Sequence, residues 1–227
     1  MKYGLHARTT AEFIGTTFLV AAVVGSGVMG DKLSGGNVAL ALLANTIATG
    51  AALVALIAAF ADISGAHFNP VVTLADAIEG RLSLLDATAY IVVQVVGGII
   101  GAVIAHAMFG LPLISLSAHP RHGWPLVLSE FLATFGLLLV IKGCSRLRPS
   151  MVPFAVGSYI TAAYWFTAST SFANPAVTIA RSLTNTFSGI RPADAPLFIA
   201  AQLVGGLAAS VLLTRLIFAP APPNSPA

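Results

Sequence analysis

The fold is decided by the stretch SGAHFNPVVTLA at residues 64–75, which has a second copy, SFANPAVTIA, at residues 171–180. Each copy places Asn-Pro in front of a short apolar run. Asn is a favoured helix cap and Pro is favoured at the first helical position, so helices are predicted to begin at Asn69-Pro70 and at Asn174-Pro175. Each run of about ten residues gives roughly 15 Å of helix, which is half the hydrocarbon thickness of a bilayer.

The composition indicates an integral membrane protein. Of the 227 residues, 57% are hydrophobic and 8% are charged, whereas a soluble domain carries about 25% charged residues. The apolar runs are continuous and too long for the alternating segments of a β-barrel, so we expect an all-α protein with helical spans. The basic residues form no cluster that suggests nucleic acid. The single cysteine, Cys144, excludes an internal disulfide framework.

Six apolar segments are predicted to span the bilayer, three in each half of the chain. They cover about 9–29, 38–61, 82–109, 126–143, 151–168 and 197–218. A single domain over residues 1–218 therefore contains repeat one, at about 9–109, and repeat two, at about 126–218. The Pro-rich tail at 219–227 is predicted to be disordered.

The two halves repeat one another in the order of their landmarks. Glu12 corresponds to Glu130, the Asn-Pro segments correspond, and Gln94 corresponds to Gln202. Because three spans per half is an odd number, the second half enters the membrane from the opposite side, which gives an inverted repeat. One Asn-Pro pair alone is a weak signal, since it starts many ordinary helices. Two pairs at matching positions point to a transport site.

In an inverted repeat the two half-helices dip in from opposite sides, and their N-termini meet near the midplane. Each N-terminus carries roughly half a positive charge, so the pair repels cations. The asparagine oxygens can cap the helices while their amide N–H groups point into a lumen. The residues before each asparagine are expected to be extended and to expose backbone carbonyls in a row that suits a neutral, hydrogen-bonding solute. These carbonyls belong to Gly65, Ala66, His67, Thr170 and Phe172.

Two alternatives remain open for the acidic residues within the spans. Glu12 and Glu130 either relay protons or anchor the backbone N–H groups of the re-entrant loops, and their symmetric placement favours anchoring. His67 either gates the lumen or lies behind its own carbonyl.

The distribution of Lys and Arg sets the orientation. With a cytoplasmic N-terminus and C-terminus, the inside holds Lys2, Arg8, Arg81, Lys142, Arg146, Arg148 and Arg215, and the outside holds Lys32, Arg121, Arg181 and Arg191. This bias favours the stated orientation.

The paired Asn-Pro segments, with the Glu and Gln-x-x-Gly-Gly repeats, resemble the aquaporin (major intrinsic protein) family over about residues 9–218. The resemblance implies six spans, two half-helices, a pore in every protomer and a homotetramer in the lipid bilayer. The midplane motifs are then Asn69-Pro70-Val71 and Asn174-Pro175-Ala176. The family usually has Ala where Val71 stands, so the first motif is a small departure.

A larger departure concerns the family's selectivity filter of aromatic and Arg side chains. Counting from the asparagines, the filter positions hold Thr49, Ala162, Ser171 and Val177, with neither an aromatic ring nor a guanidinium. Arg181 shares a helix face with Val177. It lies either higher in the vestibule or on the solvated surface. The pattern is most similar to the divergent bacterial aquaglyceroporin-like members linked to arsenic resistance, which implies a bacterial inner membrane.

Three functions are compatible with these residues to different degrees. The first is a passive channel for water and small neutral solutes such as arsenite as its hydroxide, methylated arsenicals, glycerol or urea. The second is a water-selective channel, which the missing Phe and Arg argue against. The third is a proton-coupled carrier using Glu12 and Glu130. No cofactor, metal-ligand cluster or nucleophile–base set is visible in the sequence, so we expect no enzyme.

Overall fold

The structure, a computed structural model, describes residues 2–218 and contains only helices and their connections in that range. The helices are α1 (Leu5–Leu33), α2 (Val38–Ser64), α3 (Pro70–Ile78), α4 (Leu84–Met108), α5 (Trp124–Leu147), α6 (Val152–Phe166), α7 (Pro175–Ser182) and α8 (Ala195–Leu212). A 3₁₀ turn at Pro149–Met151 leads into α6, and a π-helical turn at Leu213–Ile217 continues α8. The tail at 219–227, with its predicted disorder, lies outside the described residues.

Five of these helices are long and apolar enough to cross a membrane by length and composition, namely α1, α2, α4, α5 and α8 with its π turn. Helix α6 has 15 residues and ends at Phe166, two residues before the predicted end of its span. It ends because Thr167 takes extended backbone and its hydroxyl donates to the carbonyl of Ala163. With the 3₁₀ turn, this segment extends over roughly 28 Å, close to the hydrocarbon thickness.

The two half-length helices are confirmed. Helix α3 has nine residues and α7 has eight, and each begins at the proline after its asparagine. At 1.5 Å per residue they extend about 14 and 12 Å, so neither can cross a bilayer alone. The predicted all-α architecture with two re-entrant half-helices is therefore correct.

The packing repeats between the halves. Helix α1 packs against α2 and α4, and α5 packs in the same way against α6 and α8. Each half-helix also lies against the last helix of the other half, α3 on α8 and α7 on α4. Glycines permit the close approach at equivalent places. A Cβ on Gly97 would lie 2.6 Å from the carbonyl oxygen of Phe13, and one on Gly205 would lie 2.4 Å from that of Phe131.

Candidate functional site

The asparagines that precede the two half-helices cap them in the same way. The Oδ1 atom of Asn69 accepts a hydrogen bond from the backbone N–H of Val71 at 2.9 Å. The Oδ1 atom of Asn174 accepts from the N–H of Ala176 at 3.0 Å. Both asparagines have extended backbone, followed by proline at the first helical position. Each helix N-terminus is thereby fixed, with its positive dipole end at the asparagine.

Each asparagine also bonds to the loop that precedes the other one. The Asn69 Nδ2 atom donates to the carbonyl of Ala173 at 2.8 Å, and the Asn174 Nδ2 atom donates to that of Phe68 at 2.7 Å. The half-helix tips therefore meet. Because an amide nitrogen carries two hydrogens, each asparagine keeps one donor beyond this cross-bond. The sequence predicts that the amide N–H groups point into the lumen, and it does not reveal this cross-bond.

The loops before the asparagines are not extended as predicted. The backbone is left-handed at Ala66 and Phe68 (φ 48° at both) and at the matching Ser171 and Ala173 (φ 50° and 48°). Such a conformation costs a residue with a side chain about 1–3 kcal/mol, so other interactions must hold it in place. Phe68 packs closely on α1, where a Cβ on Gly15 would lie 2.0 Å from its ring.

Glu12 on α1 binds the first loop with both carboxylate oxygens. Its Oε1 atom accepts from the Ser64 hydroxyl at 2.7 Å and from the backbone N–H of His67 at 2.9 Å. Its Oε2 atom accepts from the N–H of Phe68 at 2.7 Å and from the Gln94 amide at 2.8 Å. Bonds to an ionised acceptor are roughly twice as strong as neutral ones, and four of them offset the cost of the left-handed backbone.

Glu130 on α5 repeats this arrangement in the second loop. Its Oε1 atom accepts from the Ser169 hydroxyl at 2.5 Å and from the N–H of Phe172 at 2.9 Å. Its Oε2 atom accepts from the N–H of Ala173 at 2.9 Å and from the Gln202 amide at 2.6 Å. Both glutamates are fully buried, and all their donors belong to loop or helix groups of the same half.

A cavity of about 510 Å³ passes both asparagines. Its lining combines two kinds of group: apolar helix side chains, which we call the apolar wall, and residues of the two loops, which we call the polar wall. The apolar wall includes Leu19, Val23, Leu53, Ile57, Leu137, Ile141, Val156 and Ile160. We call the end beside Asp76, Glu79, Arg81 and Lys142 the α3 mouth, and the end beside Tyr164, Phe172 and Arg181 the α7 mouth.

Of the predicted carbonyl residues, Gly65, Ala66, His67 and Phe172 line this cavity and Thr170 does not. The Thr170 N–H bonds to the carbonyl of Thr167 at 3.3 Å in a turn that follows α6.

The predicted filter residues Thr49, Ser171 and Val177 line the cavity and are buried. Ala162 is wrong, because it lies on the exposed face of α6 and outside the cavity lining. Ala162 and Tyr164 are two residues apart, and two residues along a helix correspond to a rotation of about 200°. A count that is wrong by two residues therefore selects a side chain on the opposite face of α6. Tyr164 faces the cavity instead, and its hydroxyl lies 3.3 Å from that of Thr49. The predicted absence of an aromatic ring at this level is therefore also wrong.

Arg181 is buried in the α7 mouth, with 2% of its surface exposed, so the solvated alternative is wrong. Its guanidinium carbon lies 3.3 Å from the ring centroid of Phe172, and its Nε atom donates to the carbonyl of Ser188. The Phe172 ring is itself held edge-on against Phe198, with centroids 5.3 Å apart. The ring therefore fixes the guanidinium against the cavity wall.

Arg121 is a second guanidinium near Phe172, although it is not among the residues that line the cavity. It comes from the connector between the halves and lies 5.1 Å from the Phe172 centroid. It donates to the carbonyls of Gly189 at 2.8 Å and Ser169 at 3.1 Å. Burial lowers the pKa of the Arg121 guanidinium below its usual value, and the charge of Glu130 opposes that fall. No spacing rule relates this connector to the filter, so only the fold reveals it.

The α3 mouth carries a compact network of paired charges. Arg81 bonds to Asp76 at 2.7 Å and to Glu79 at 2.6 Å, and Lys142 bonds to Glu79 at 2.5 Å. The His67 ring lies 3.3 Å from Asp76 through Nε2 and bonds to the Thr73 hydroxyl through Nδ1. The His67 side chain is therefore held beside α3 within this network.

The chain matches the model of the Major intrinsic protein family twice, over residues 2–168 and 118–220. Aquaglyceroporin AqpS of Rhizobium meliloti (strain 1021) is 54% identical over 222 residues, which cover 98% of this chain and 94% of that protein. Probable aquaporin TIP1-2 of Oryza sativa subsp. japonica is 34% identical over 181 residues, covering 74% and 71%. The X-ray structure of the aquaglyceroporin from Plasmodium falciparum superposes with a TM-score of 0.74 at 19% identity, covering 95% and 98% of the two chains. That similarity in structure shows the same fold.

Proposed function

The chain belongs to the major intrinsic protein family, and from this membership we propose that it is a passive channel for water and small neutral solutes. The solutes we propose are glycerol, urea, arsenite as its neutral hydroxide and methylated arsenicals. The 54% identity to a protein named as an aquaglyceroporin supports passage of solutes larger than water. Passive conduction involves no reaction, so we propose no catalytic residue and no cofactor.

The observation that carries this proposal is the two-sided cavity. Its apolar wall can contact the carbon chain of a polyol, while the loop carbonyls and the asparagine amides of the other wall exchange hydrogen bonds with hydroxyl groups. A solute that presents both kinds of surface replaces its lost hydration on one side and buries its carbon atoms on the other. A small neutral hydroxide such as arsenite needs only the polar wall.

We assign the filter to Thr49, Tyr164, Ser171 and Val177, with Arg181 at the vestibule. A valine at position 177 leaves out the bulk and the five donors of an arginine. The hydroxyl group of Tyr164 contacts the hydroxyl group of the smaller Thr49 side chain. The proposed constriction therefore combines the hydroxyl groups of Thr49, Tyr164 and Ser171 with the methyl groups of Val177.

Stopped-flow light scattering on proteoliposomes tests the channel. Vesicles shrink in an osmotic step and re-swell as the solute enters, so glycerol, urea and neutral arsenite each give a permeability. We expect re-swelling with all three and the same rate with and without a pH gradient. Re-swelling that needs the gradient would instead favour a proton-coupled carrier, and permeability to water alone would favour a water-selective channel. Empty liposomes made in the same detergent are the control.

Location and assembly complete the proposal. We propose a bacterial inner membrane with both termini in the cytoplasm, which the bacterial relative and the bias of basic residues support. We propose a homotetramer in which every protomer contains a pore. Large apolar side chains on the outer faces of the helices, such as Ile100, Leu128 and Val204, are exposed to lipid or to another copy. The molar mass of the detergent-solubilised protein by light scattering checks the tetramer.

A further inference from the structure

We propose that Arg181 excludes protons and metal cations from the cavity, by holding an uncompensated positive charge at the α7 mouth. This inference rests on the proposed channel function and adds a selectivity that the filter residues do not provide. Thr49, Tyr164, Ser171 and Val177 are uncharged, so they do not discriminate a cation from a neutral solute by charge. Of these four residues only Val177 lies on α7, and Arg181 is the cationic side chain one turn beyond it on that helix.

The direction of the Arg181 side chain brings the charge back toward the filter. Side chains in a helix lean toward its N-terminus, so a residue covers the turn before its own Cα. Arg181 stands about 6 Å beyond Val177 along α7, on nearly the same face, and its long side chain therefore reaches over the Val177 turn. Its position on the cavity lining beside Phe172 agrees with this direction.

The guanidinium is held by groups that stabilise its charge without cancelling it. The Phe172 ring, the Ser188 carbonyl and the C-terminal end of α7 are partial charges or dipoles. Within residues 2–218, no carboxylate forms an ion pair with Arg181, and its two Nη atoms donate to no protein acceptor. The nearby Glu130 is already engaged by three donors of its own loop and by the Gln202 amide of α8. The positive charge is therefore directed at whatever enters the cavity.

A second guanidinium lies near the same ring but is not among the residues that line the cavity. Arg121 lies over the same phenylalanine ring, and its guanidinium is also unpaired with any carboxylate among the described residues. One unit charge about 6 Å from a permeating cation, at an effective dielectric constant of about 20, lowers the occupancy of that cation by roughly 100-fold. A neutral solute is not subject to this charge repulsion.

The first test compares wild type with Arg181→Met and Arg181→Lys in proteoliposomes. Proton entry is followed with an entrapped pH dye, and potassium current is recorded in planar bilayers. We expect Arg181→Met to raise both leaks by at least tenfold, and Arg181→Lys, which keeps the charge, to stay within a few-fold of wild type. The matched control is Arg191→Met, which removes a charge from an exposed arginine paired with Asp194 outside the cavity. A leak in Arg181→Met equal to that of wild type would overturn the proposal.

The second test neutralises the charge while Arg181 stays in place, in case Arg181→Met does not fold. Val177→Asp puts a carboxylate one turn from the guanidinium, and Val177→Asn is its uncharged isostere. Position 177 lies in the first turn of α7, where the helix dipole favours an acidic side chain. We expect Val177→Asp to raise the cation leak and Val177→Asn to leave it low; equal leaks in the two variants would overturn the assignment. Re-swelling of wild-type vesicles in glycerol tests the channel separately, so failure of the channel and failure of Arg181 give different results.

Discussion

The two halves of the molecule are nearly identical next to the asparagines and very different at the two mouths. Beside the asparagines, Glu12 and Glu130 receive the same four kinds of donor, and each asparagine bonds to the opposite loop. At the mouths, the α3 half has acids and bases paired within 4 Å, whereas the α7 half has Arg181 against an aromatic ring. The two halves are therefore symmetric where they hold the loops, whereas the residues to which we assign selectivity have no counterpart in the other half.

The largest effects on stability are expected from substitutions of the two buried glutamates that hold the loops. Glu12→Gln and Glu130→Gln each replace a carboxylate that accepts four hydrogen bonds. The NH₂ group of the new amide would face donors and could not accept from them. We expect each to lower the free energy of unfolding by roughly 3–6 kcal/mol, since bonds to a charged group contribute about 1.5–3 kcal/mol each and two of them lose their acceptor. Thermal unfolding of the detergent-solubilised protein, followed by size-exclusion chromatography, measures the loss.

Because the two carboxylates have equivalent donors, the two variants should be destabilised to a similar extent. Leu128→Ala, at a half-exposed position on the outer face of α5, is the control. A large loss of stability for one variant and none for the other would show that the two loops are held differently. The two halves would then be similar in geometry but not in the energies of these interactions.

Larger side chains at two of the proposed filter positions test the assignment of the filter near the α7 mouth. We expect Thr49→Phe with Val177→Arg to reduce glycerol permeability by about tenfold or more, which is about 1.4 kcal/mol of barrier, while water flux falls much less. A ring and a guanidinium fill the space beside Tyr164, and water is the smaller solute. Stopped-flow re-swelling with glycerol and osmotic shrinkage in sucrose measure the two fluxes.

Val177→Leu is the matched control for this filter, since it adds apolar volume without donors or charge. Unchanged glycerol permeability in the double variant would mean that these two positions do not form the constriction. In that case the narrowest part of the cavity would have to lie elsewhere, for instance between the loops and the apolar wall.

The sequence predicts the groups beside the asparagines better than it predicts the groups at the mouths. Asn69 and Asn174 were read correctly because Asn-Pro has a local meaning, a capped helix start, that is independent of the fold. Ala162 was wrong because its assignment depended on the length of a loop, and a helix turns an error of two residues into the opposite face. Tyr164 becomes identifiable only when the end of α6 at Phe166 is known.

Arg181 and the loop backbone show a different limit. An arginine is almost never fully buried unless it is paired, so the surface was the simpler interpretation. Its burial depends on Phe172, which comes from the loop before α7, and on the carbonyl of Ser188 after it. The left-handed Ala66 and Ala173 were likewise hidden, because nothing in an alanine predicts positive φ and the glutamate that stabilises it is far away in sequence.

The departure at Val71 offers a further comparison between the halves. A Cβ on Gly206 of α8 would lie 2.1 Å from the Cγ1 atom of Val71, whereas one on the matching Gly98 would lie 3.2 Å from the carbonyl oxygen of Ala176. We expect Gly206→Ala to cost about 1–3 kcal/mol, because a β-branched side chain cannot easily rotate away. Gly98→Ala should cost less. The unfolding midpoint measures both.

The double variant Gly206→Ala with Val71→Ala decides whether this clash is the cause. Removing the valine methyl groups frees the space that the new Cβ needs, so most of the lost stability should return. A double variant that is no more stable than Gly206→Ala would mean that the glycine is required for another reason, such as the approach of the α3 and α8 backbones.

The smallest effect is expected where charge is already balanced. Arg81 is 53% exposed and lies between Asp76 and Glu79 at the α3 mouth, so Arg81→Gln should cost less than about 1 kcal/mol, and less still in high salt. Because those carboxylates already offset its field, its removal should raise the cation leak far less than Arg181→Met does. Unfolding midpoints at low and high salt, with potassium currents for both variants, provide the test. Equal leaks from the two variants would mean that ion pairing with carboxylates does not determine how strongly an arginine repels a permeating cation. The different charges at the two mouths would then not explain selectivity.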